Sequence, residues 1–247
     1  MYQGKHVSVV VLAAGRGSRM QADLNKQYIV LGGMPVLTRT LLVLEHSAFV
    51  DDIIVVVAKG EEAYCKQVAV TPYSISKVKQ IVVGGAQRQD SCYLGLQAVK
   101  EVDGYVLFHD GARPFFTEEL LQDALCALET YDACCVAVPV KDTIKRVSEE
   151  GVVVETPQRS TLYVAQTPQG FRIDVAKEVY AKATTESFVG TDDSQLAEKY
   201  GYASKIVCGS YENIKITTKE DLHLGEAILK MRGVSNASGV SGADTGN

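Results

Sequence analysis

The stretch from Leu12 to Met20, which reads LAAGRGSRM, has the composition of a phosphate-binding loop. Small residues and glycines between a strand and a helix let backbone N–H groups approach phosphate oxygens. Arg19 and the later Lys26 add positive charge where a triphosphate would lie. Met20 stands where the dinucleotide fingerprint needs its third glycine, which disfavours a nicotinamide-dependent oxidoreductase. Taken alone, such a loop is as often a plain turn, and an isolated lysine is usually a solvated surface residue.

A second candidate site is the stretch GGAQRQDS at residues 84–91. Two glycines at the end of a predicted strand permit close contact between the backbone and a flat base. Ser91 could hydrogen-bond that base, or it could cap the helix that follows, and the sequence leaves both roles open. Arg88 lies within the same stretch.

A third candidate is the stretch HDGARP at residues 109–114, which follows a short apolar run. A carboxylate such as Asp110, at the tip of a buried strand beside a phosphate loop, is a natural ligand for Mg²⁺. The alternative is that Asp110 only starts a turn, for which Asp-Gly is well suited. Arg113 offers a rigid donor fork for a phosphate or a diol. His109 has no nucleophile to pair with and is interpreted as structural.

The elements that must position these stretches alternate along the chain. Stretches with helical spacing separate short apolar runs rich in β-branched residues, which lie at residues 7–13, 53–58, 78–83, 105–108 and 133–140. Continuous apolar strands of this kind indicate a mostly parallel sheet with helices on both faces. Such a sheet binds its ligand beyond the carboxyl ends of the strands, where the three candidate stretches lie. We therefore predict an α/β, Rossmann-like fold.

Two helix starts are predicted from capping residues. Thr117 is expected to be an N-cap, with Glu118 and Glu119 in the positively polarised first turn of the helix. Near the C-terminus, Thr217 and Glu220 have the three-residue spacing of a capping box.

The chain is predicted to form one domain with a protruding arm. From Val140 to Val154, charged and β-branched residues alternate around a turn at residues 149–151, which indicates a two-stranded excursion from the main sheet. Residues 1–232 show no internal repeat and no interdomain linker, so we assign them to a single domain whose arm lies at about 140–160. Residues 233–247 are rich in Gly, Ser, Ala and Asn and are expected to be a disordered tail.

Composition argues against several classes of function. The 247-residue chain is 46% hydrophobic and has a formal net charge of −5 without a long basic block, which disfavours nucleic-acid binding. No apolar run approaches the ~18 residues of a membrane span, and the polar N-terminus shows no secretory signal. The six cysteines include no CxxC pair, so we expect mostly buried, structural thiols in a reducing, cytoplasmic compartment.

Further motifs, weak individually, complete a series of eight whose order and spacing are informative. The chain resembles the 2-C-methyl-D-erythritol 4-phosphate cytidylyltransferases of the non-mevalonate isoprenoid pathway. The matching stretches lie between residue 13 and about residue 217 and read AAGRGSRM, NKQY, GGAQRQDS, HDGARPF, PVKDTIK, QTPQGF, TDD and NIKIT. Ribitol-5-phosphate cytidylyltransferases are similar, but their loop tends to read AGG at the position of residues 13–15, and they tend to lack the lysine found here as Lys145. Both features favour the methylerythritol family.

The resemblance implies transfer of CMP from CTP to a sugar-alcohol phosphate, with Mg²⁺ as cofactor and release of pyrophosphate. It implies that CTP is bound by Ala13, Ala14, Gly15, Gly17, Gly85, Arg88 and Ser91. The catalytic charges would come from Arg19, Lys26 and Lys215. The acceptor would be bound by Asp110, Arg113, Thr143, Arg159 and Thr167, and the protein ligand of Mg²⁺ would be Asp110.

The resemblance also implies a homodimer that forms through the arm at residues 140–160, so that Thr143 and Arg159 act in the site of the neighbouring subunit. Two glycines and a small hydroxyl, at Gly84, Gly85 and Ser91, suit a pyrimidine base better than a purine.

Two alternatives stay open. The acceptor could be ribitol phosphate, or the protein could be a non-catalytic nucleotide sensor, which would bind CTP but tolerate loss of Lys26 and Asp110.

Overall fold

A seven-stranded sheet forms the centre of the protein, whose computed structural model describes residues 1–15 and 26–234 apart from the side chain of Lys26. The strands, in chain order, are β1 (Val7–Ala13), β2 (Val30–Leu31), β3 (Met34–Pro35), β4 (Asp52–Val57), β5 (Val78–Val83), β6 (Tyr105–Asp110), β7 (Ala133–Pro139), β8 (Arg146–Val147), β9 (Val153–Glu155), β10 (Tyr163–Arg172) and β11 (Ser204–Cys208). The order of strands in the main sheet is β11-β7-β10-β6-β1-β4-β5.

Most neighbours in this sheet run parallel. β1 pairs in parallel with β4 and β6, β4 pairs with β5, and β7 pairs with β11. β10 is the exception, because it lies antiparallel between β6 and β7. The register places Leu12 opposite Asp110, so the loop that follows β1 and the carboxylate that ends β6 lie at the same edge. The prediction of a mostly parallel α/β sheet is confirmed.

Helices cover both faces of the sheet, as predicted. They are α1 (Val36–His46), α2 (Glu62–Cys65), α3 (Arg88–Gln97), α4 (Glu118–Leu128), α5 (Ile173–Glu186), α6 (Ser194–Lys199) and α7 (Lys219–Met231). α2 continues into a π-helical turn at Lys66–Val70 and a 3-10 turn at Thr71–Tyr73. Separate 3-10 turns occur at Lys26–Tyr28 and Arg159–Thr161.

Alternation along β1 divides the core into two layers. Val9 and Val11 pack on one face with leucines of α1 and α4, while Val10 packs on the other face with apolar residues of α3 and α5. All three valines are fully buried. With both faces covered, β1 is apolar from Val9 to Ala13 and forms a rigid base for the loop that begins at Ala14.

The helix starts agree with the predictions only in part. Thr117 caps α4, as predicted, because its side chain accepts a hydrogen bond from a backbone N–H of the first turn. The predicted capping box of Thr217 and Glu220 is wrong by one residue, since Thr218 and Asp221 form it. The Asp221 carboxylate accepts hydrogen bonds from the N–H groups of both Thr217 and Thr218, and these bonds place the start of α7 one residue later.

The predicted two-stranded arm consists of β8 and β9. These strands pair antiparallel, with Arg146 opposite Glu155 and a distance of 2.8 Å between their charged groups. The arm leaves the main sheet between β7 and β10, which stay paired up to Pro139 and Tyr163. All residues of β8 and β9 are exposed, so the arm projects from the sheet as a separate hairpin.

The last helix ends in a hydrogen-bonded cap. The Gly233 N–H donates to the Lys230 carbonyl, and the Val234 N–H donates to the Leu229 carbonyl. The remainder of the predicted tail, residues 235–247, lies outside the described residues, so disorder there stays a prediction. Within the described residues, 1–15 and 26–234, no helix is long and apolar enough to cross a membrane.

The cysteines are free thiols, and they divide into two groups. Four are buried and two, Cys126 and Cys208, are exposed. The buried ones, which pack as small apolar side chains, are Cys65, Cys92, Cys134 and Cys135. The expectation that most of the thiols are structural and buried is therefore confirmed.

Candidate active site

A cavity of about 620 Å³ lies beyond the carboxyl ends of β1, β5 and β6. Its walls include six of the predicted CTP-binding residues, namely Ala13, Ala14, Gly15, Gly85, Arg88 and Ser91. Asp110 and Lys215 also line it. Stretches that are far apart in the sequence thus meet in one cavity, as expected at the strand ends of an α/β sheet.

Ser91 holds the turn at Gly85 in place. The Ser91 hydroxyl accepts a hydrogen bond of 3.1 Å from the Gly85 N–H and donates one of 3.1 Å to the Gln87 carbonyl. Ser91 lies inside α3, whose N-cap is Gln87, so the alternative that Ser91 caps this helix is wrong. Its hydroxyl instead fixes the backbone on which a base would rest.

Two glycines allow this turn to pack closely against the loop after β1. A Cβ atom at Gly84 would lie 2.7 Å from the Ser91 Oγ and 2.8 Å from the Ala14 Cβ. A Cβ atom at Gly85 would overlap the Cβ of Asp90. A side chain at Gly84 would push the loops after β1 and β5 apart, and one at Gly85 would displace Asp90 at the start of α3.

Asp110 is the acidic centre of the cavity and is surrounded by cations. Its Oδ2 lies 2.9 Å from the Lys215 Nζ and 3.3 Å from the Arg113 Nε, and its Oδ1 lies 3.6 Å from the Arg88 Nε. Burial alone would raise the pKa of this carboxyl, but Lys215, Arg88 and Arg113 together hold the pKa well below its ordinary value. Asp110 is therefore ionised at neutral pH, and its three cations leave an excess of positive charge around it.

A chain of hydrogen bonds supports Asp110 from behind. The Asp110 N–H donates to the Thr167 hydroxyl at 3.0 Å, and the Thr167 Oγ1 lies 3.1 Å from the His109 Nδ1. The His109 Nε2 lies 3.2 Å from the Arg113 carbonyl. Since a carbonyl can only accept, Nε2 carries the proton and Nδ1 accepts from Thr167. Burial lowers the pKa of His109 to about 4, which keeps the ring neutral and agrees with its interpretation as structural.

Arg113 lies behind Asp110 and connects two distant segments. Besides contacting Asp110, its Nη1 donates to the Asn213 carbonyl at 2.8 Å. The Asn213 side chain is fully buried and donates to the Thr167 carbonyl at 2.9 Å. These bonds fasten the segment before α7 to β10 and bring Lys215 to the cavity.

Two buried residues that the sequence analysis did not assign to the site hold Arg88. Asp193 accepts two hydrogen bonds from the Arg88 guanidinium, of 2.8 and 2.7 Å, and a third of 2.6 Å from the Tyr180 hydroxyl. The TDD motif at residues 191–193 marks this carboxylate in the sequence. The partner of Asp193 becomes evident only when α3 and α6 are brought together by folding.

Gln27 is a further residue that the sequence analysis missed. It is buried, it lines the cavity, and its side-chain amide donates to the Ala13 carbonyl. This bond fastens the 3-10 turn at Lys26–Tyr28 to the end of β1. The sequence signal for Gln27 is its position next to Lys26 in the NKQY motif. In the structure its buried amide needs a hydrogen-bond partner, which the Ala13 carbonyl provides.

Other predicted residues are not brought to the cavity. Thr143 and Arg159 are exposed on the arm, and the Arg159 Nη1 donates to the Lys141 carbonyl at 2.9 Å. Arg113 and Thr167 contact Asp110 but are not among the described residues that line the cavity. Outside the described residues lie Gly17, Arg19 and the side chain of Lys26. A single chain thus assembles the nucleotide side of the predicted site more fully than the acceptor side.

The residues around Asp110 fit a divalent cation that takes one carboxylate from the protein and most of its other ligands from a bound phosphate compound and water. The described part of the chain contains no group of three or more His, Cys, Asp or Glu residues that could hold a metal by itself. Asp110 offers one carboxylate, whose Oδ2 contacts Lys215 and Arg113, while the Arg88 Nε at 3.6 Å from Oδ1 is beyond hydrogen-bond range. Mg²⁺ commonly takes one or two carboxylates and completes its coordination with substrate phosphates and water.

Comparison with known proteins agrees with this geometry. Residues 7–231 match the 2-C-methyl-D-erythritol 4-phosphate cytidylyltransferase family. The protein of that name from Alkaliphilus metalliredigens is 48% identical over 226 residues, which cover 92% of this chain and 94% of the relative. The one from Geobacter metallireducens is 48% identical over 227 residues, which cover 91% of this chain and 97% of the relative.

Solved structures extend the similarity to the fold. The crystal structure of 4-diphosphocytidyl-2C-methyl-D-erythritol synthase from Anaerococcus prevotii has a TM-score of 0.81 at 36% identity and covers 92% of this chain and 97% of its own. The 2-C-methyl-D-erythritol 4-phosphate cytidylyltransferase from Thermus thermophilus has a TM-score of 0.74 at 31% identity and covers 91% of this chain and 99% of its own. The resemblance noted in the motifs is confirmed over nearly the whole chain, which belongs to the 2-C-methyl-D-erythritol 4-phosphate cytidylyltransferase family.

Proposed function

We propose that this protein transfers CMP from CTP to 2-C-methyl-D-erythritol 4-phosphate, yielding 4-diphosphocytidyl-2-C-methyl-D-erythritol and pyrophosphate. The reaction would serve the non-mevalonate synthesis of isoprenoid precursors in the cytoplasm, a compartment that suits the free thiols of this chain. The observation that carries the proposal is the cavity in which Asp110 and Lys215 meet the two glycine-containing loops. Family membership supplies the identity of the substrates.

The reaction requires charge stabilisation rather than acid–base chemistry. A phosphate oxygen of the acceptor forms a bond to the α-phosphorus of CTP, the bond from that phosphorus to the bridging oxygen breaks, and pyrophosphate leaves with the electron pair. The attacking phosphate is already an anion at neutral pH, so it needs no general base. The obstacle is the approach of one polyanion to another, which fixed positive charges and alignment reduce.

Several residues suit these tasks. The backbone after β1, at Ala14 and Gly15, lines the cavity and would hold phosphate oxygens. Lys215 is fixed by its 2.9 Å ion pair with Asp110, so its charge needs little reorganisation during the reaction. Arg19 and Lys26 would supply the remaining charges. The turn formed by Gly85 and Ser91 would recognise the cytosine.

Mg²⁺ is the proposed cofactor, with Asp110 as its protein ligand. When bound, the ion would neutralise charge on the triphosphate oxygens. Asp110 suits this task because its carboxyl stays ionised and because Lys215 and Arg113 engage the same oxygen, Oδ2. The hydrogen bond from the Asp110 N–H to Thr167 would keep the carboxylate in position.

The acceptor phosphate would bind beside Asp110 through Arg113 and Thr167, and Thr143 and Arg159 from a second subunit would complete its site. Support for such a homodimer comes from apolar side chains on and beside the arm, which are 42% to 65% exposed in the single chain: Ile144, Val147, Val152, Val153, Val154, Tyr163 and Val164. Contact with a second arm would remove this apolar surface from water.

Pyrophosphate release from CTP and Mg²⁺ tests the proposal, with 2-C-methyl-D-erythritol 4-phosphate and ribitol 5-phosphate as alternative acceptors. We expect kcat/KM to be at least about 100-fold higher with the methylerythritol acceptor, since a site built for one polyol loses several hydrogen bonds with another. Preference for ribitol phosphate would keep the chemistry and overturn the acceptor. CTP binding without release from either acceptor would favour a nucleotide sensor.

A further inference from the structure

Arg88 lies between two carboxylates but is hydrogen-bonded to one of them. Its Nη1 and Nη2 lie 2.8 and 2.7 Å from the two carboxylate oxygens of Asp193. Its Nε lies 3.6 Å from the Asp110 Oδ1, which is too far for a hydrogen bond. Bidentate pairing is the strongest arrangement that an arginine and a carboxylate can adopt. The orientation of Arg88 is therefore set from outside the cavity by Asp193.

Asp193 is itself held firmly. It is 1% exposed, and its Oδ1 accepts a hydrogen bond of 2.6 Å from the Tyr180 hydroxyl. Tyr180 is fully buried on α5, and its ring stacks on Tyr93 of α3 with the ring centroids 5.9 Å apart. Because α3 also carries Arg88, the ring stack and the ion pair fix this helix at two points. The carboxylate has little freedom to turn away from Arg88.

The two oxygens of Asp110 have different surroundings as a result. Oδ2 contacts Lys215 and Arg113, whereas Oδ1 faces Arg88 at 3.6 Å without a hydrogen bond. If Arg88 were released from Asp193, attraction between opposite charges would draw its guanidinium onto Oδ1. That oxygen would then be occupied, and Arg88 would no longer extend along the cavity wall.

We propose that Asp193 is a positioning residue of the nucleotide site, which together with Tyr180 holds Arg88 along the cavity wall and away from the Asp110 Oδ1. The bidentate pair uses one N–H of each terminal nitrogen and leaves the second N–H of each to donate to a triphosphate, while Nε lies toward Asp110. Asp110 Oδ1 stays open to a cation that arrives with the nucleotide. This inference rests on the proposed function, because that function places CTP and Mg²⁺ in this cavity.

The variant Asp193→Asn tests the inference. Asparagine keeps the shape of the side chain but carries no charge, and its amide nitrogen cannot accept, so the pairing of each Arg88 terminal nitrogen with its own oxygen is lost. We expect the Kd for CTP in the presence of Mg²⁺, measured by titration calorimetry without acceptor, to rise about tenfold through loss of a charge-assisted hydrogen bond. KM for CTP should rise by a similar factor, while kcat falls less than about threefold, because the residues that stabilise the transferring group are unchanged.

A double-mutant cycle distinguishes positioning from general support of the fold. In an Arg88→Gln background no arginine remains to be held, so adding Asp193→Asn should change the Kd for CTP by less than about twofold. If Asp193→Asn weakens CTP binding equally with and without Arg88, Asp193 does not act through Arg88 and the inference is overturned.

Two further variants act as partner and control. Tyr180→Phe removes the hydroxyl that holds Asp193 but keeps the ring that stacks on Tyr93, and it should raise the Kd for CTP about threefold. Asp192→Asn perturbs the adjacent carboxylate, which accepts from Gln169, Ser194 and the Gln195 N–H, and it should change the Kd less than about twofold. An effect of Asp192→Asn as large as that of Asp193→Asn would overturn the inference.

Thermal unfolding of each variant establishes that binding is compared between folded proteins. Wild-type protein that fails to bind CTP would contradict the proposed function itself. Wild-type protein that binds CTP, together with an Asp193→Asn protein that is folded and binds it equally well, would overturn only the positioning role.

Discussion

The carboxylate of Asp110 and the ammonium group of Lys215 lie 2.9 Å apart although they come from distant parts of the chain. Asp110 ends the central strand β6, whereas Lys215 precedes the last helix, α7. Arg113 connects the same two segments a second time, through Asp110 and the Asn213 carbonyl. The end of the chain therefore adds Lys215 to a cavity whose loops, carboxylate and Arg88 come from the first half.

Replacing Lys215 by alanine should lower kcat roughly 10²–10³-fold, as deletion of one preorganised charge-stabilising donor does. Pyrophosphate release at saturating CTP and acceptor measures the effect. Lys205→Ala is the matched control, because it removes an equal charge from an exposed position on β11. Wild-type turnover in the Lys215→Ala enzyme would exclude this residue from the mechanism.

Lys26→Ala should also lower kcat roughly 10²–10³-fold, for the same electrostatic reason. The turn that carries Lys26 is fastened to β1 by the bond from Gln27 to the Ala13 carbonyl, so the position of the lysine backbone is defined at the cavity. Steady-state kinetics with both substrates saturating measures the change. A Lys26→Ala enzyme that keeps full turnover would show that this lysine takes no part in catalysis.

Thr167→Val should destabilise the protein and the site together. Thr167 is 3% exposed, and its hydroxyl accepts from the Asp110 N–H. Valine leaves that buried N–H without a partner, so the free energy of unfolding should fall by about 2 kcal/mol. Thr167→Ser keeps the hydroxyl and should retain most of the stability in urea denaturation. Equal stability of the two variants would contradict the role assigned to this hydrogen bond.

The neutral, buried His109 should make stability depend on pH in the acid range. Its pKa is lowered by burial from 6.5 to about 4, so the unfolded state binds a proton first as the pH falls. The stabilisation is fully present above pH 6.5 and is lost progressively as the pH falls from 6.5 to 4. The free energy of unfolding should decrease by about 2 kcal/mol between pH 7 and pH 5. The lowered pKa of Asp110 acts at still lower pH.

His109→Gln provides the comparison, because glutamine does not titrate and can still donate to the Arg113 carbonyl. We expect the free energy of unfolding of this variant, measured by urea denaturation, to fall less between pH 7 and pH 5 than that of the wild type. The difference should be nearly the whole contribution of His109. An identical pH dependence in the two proteins would mean that His109 is not the titrating group.

Charging the arm should weaken the proposed dimer. Val153→Glu places a carboxylate in the exposed apolar surface of β9, and the monomer fraction in sedimentation velocity should increase at least about tenfold, since an unpaired charge is costly to bury. Val102→Glu alters a valine that is 78% exposed and lies outside the arm, and it should leave the association unchanged. If the monomer fractions of both variants equal that of the wild type, any dimer contact lies outside the arm.

The main part of the fold could be predicted because its strands are buried on both faces. β1 and β4 are buried and apolar over most of their length. The strand predicted at residues 78–83 agrees with β5, Val78–Val83, at the edge of the sheet. β10 was not predicted as an antiparallel strand within the main sheet. Its buried segment contains Gln166, Thr167 and Gln169, which read as a loop in the sequence. These polar side chains are tolerated in the core because residues from other elements hydrogen-bond them.

The candidate site, like the fold, could be predicted only in part from the sequence. The residues near Gly15 and Gly85 follow strands directly, so their meeting at one edge of the sheet follows from the parallel arrangement. The pairing of Arg88 with Asp193 depends on the packing of α5 and α6 against α3, which no local pattern encodes. The capping box at Thr218 was displaced because two neighbouring threonines compete for the same acidic residue.

The arm is inserted at a single place, between Val140 and Leu162, whose backbones are hydrogen-bonded to each other. β7 and β10 are already paired at this point, so a short turn could close the hairpin with little change in loop-closure entropy. The nucleotide-binding loops, in contrast, are continuous with the core strands. On the proposed assignment of Thr143 and Arg159 to the acceptor site, exchanging this one hairpin would alter acceptor recognition while the loops after β1 and β5 stay intact.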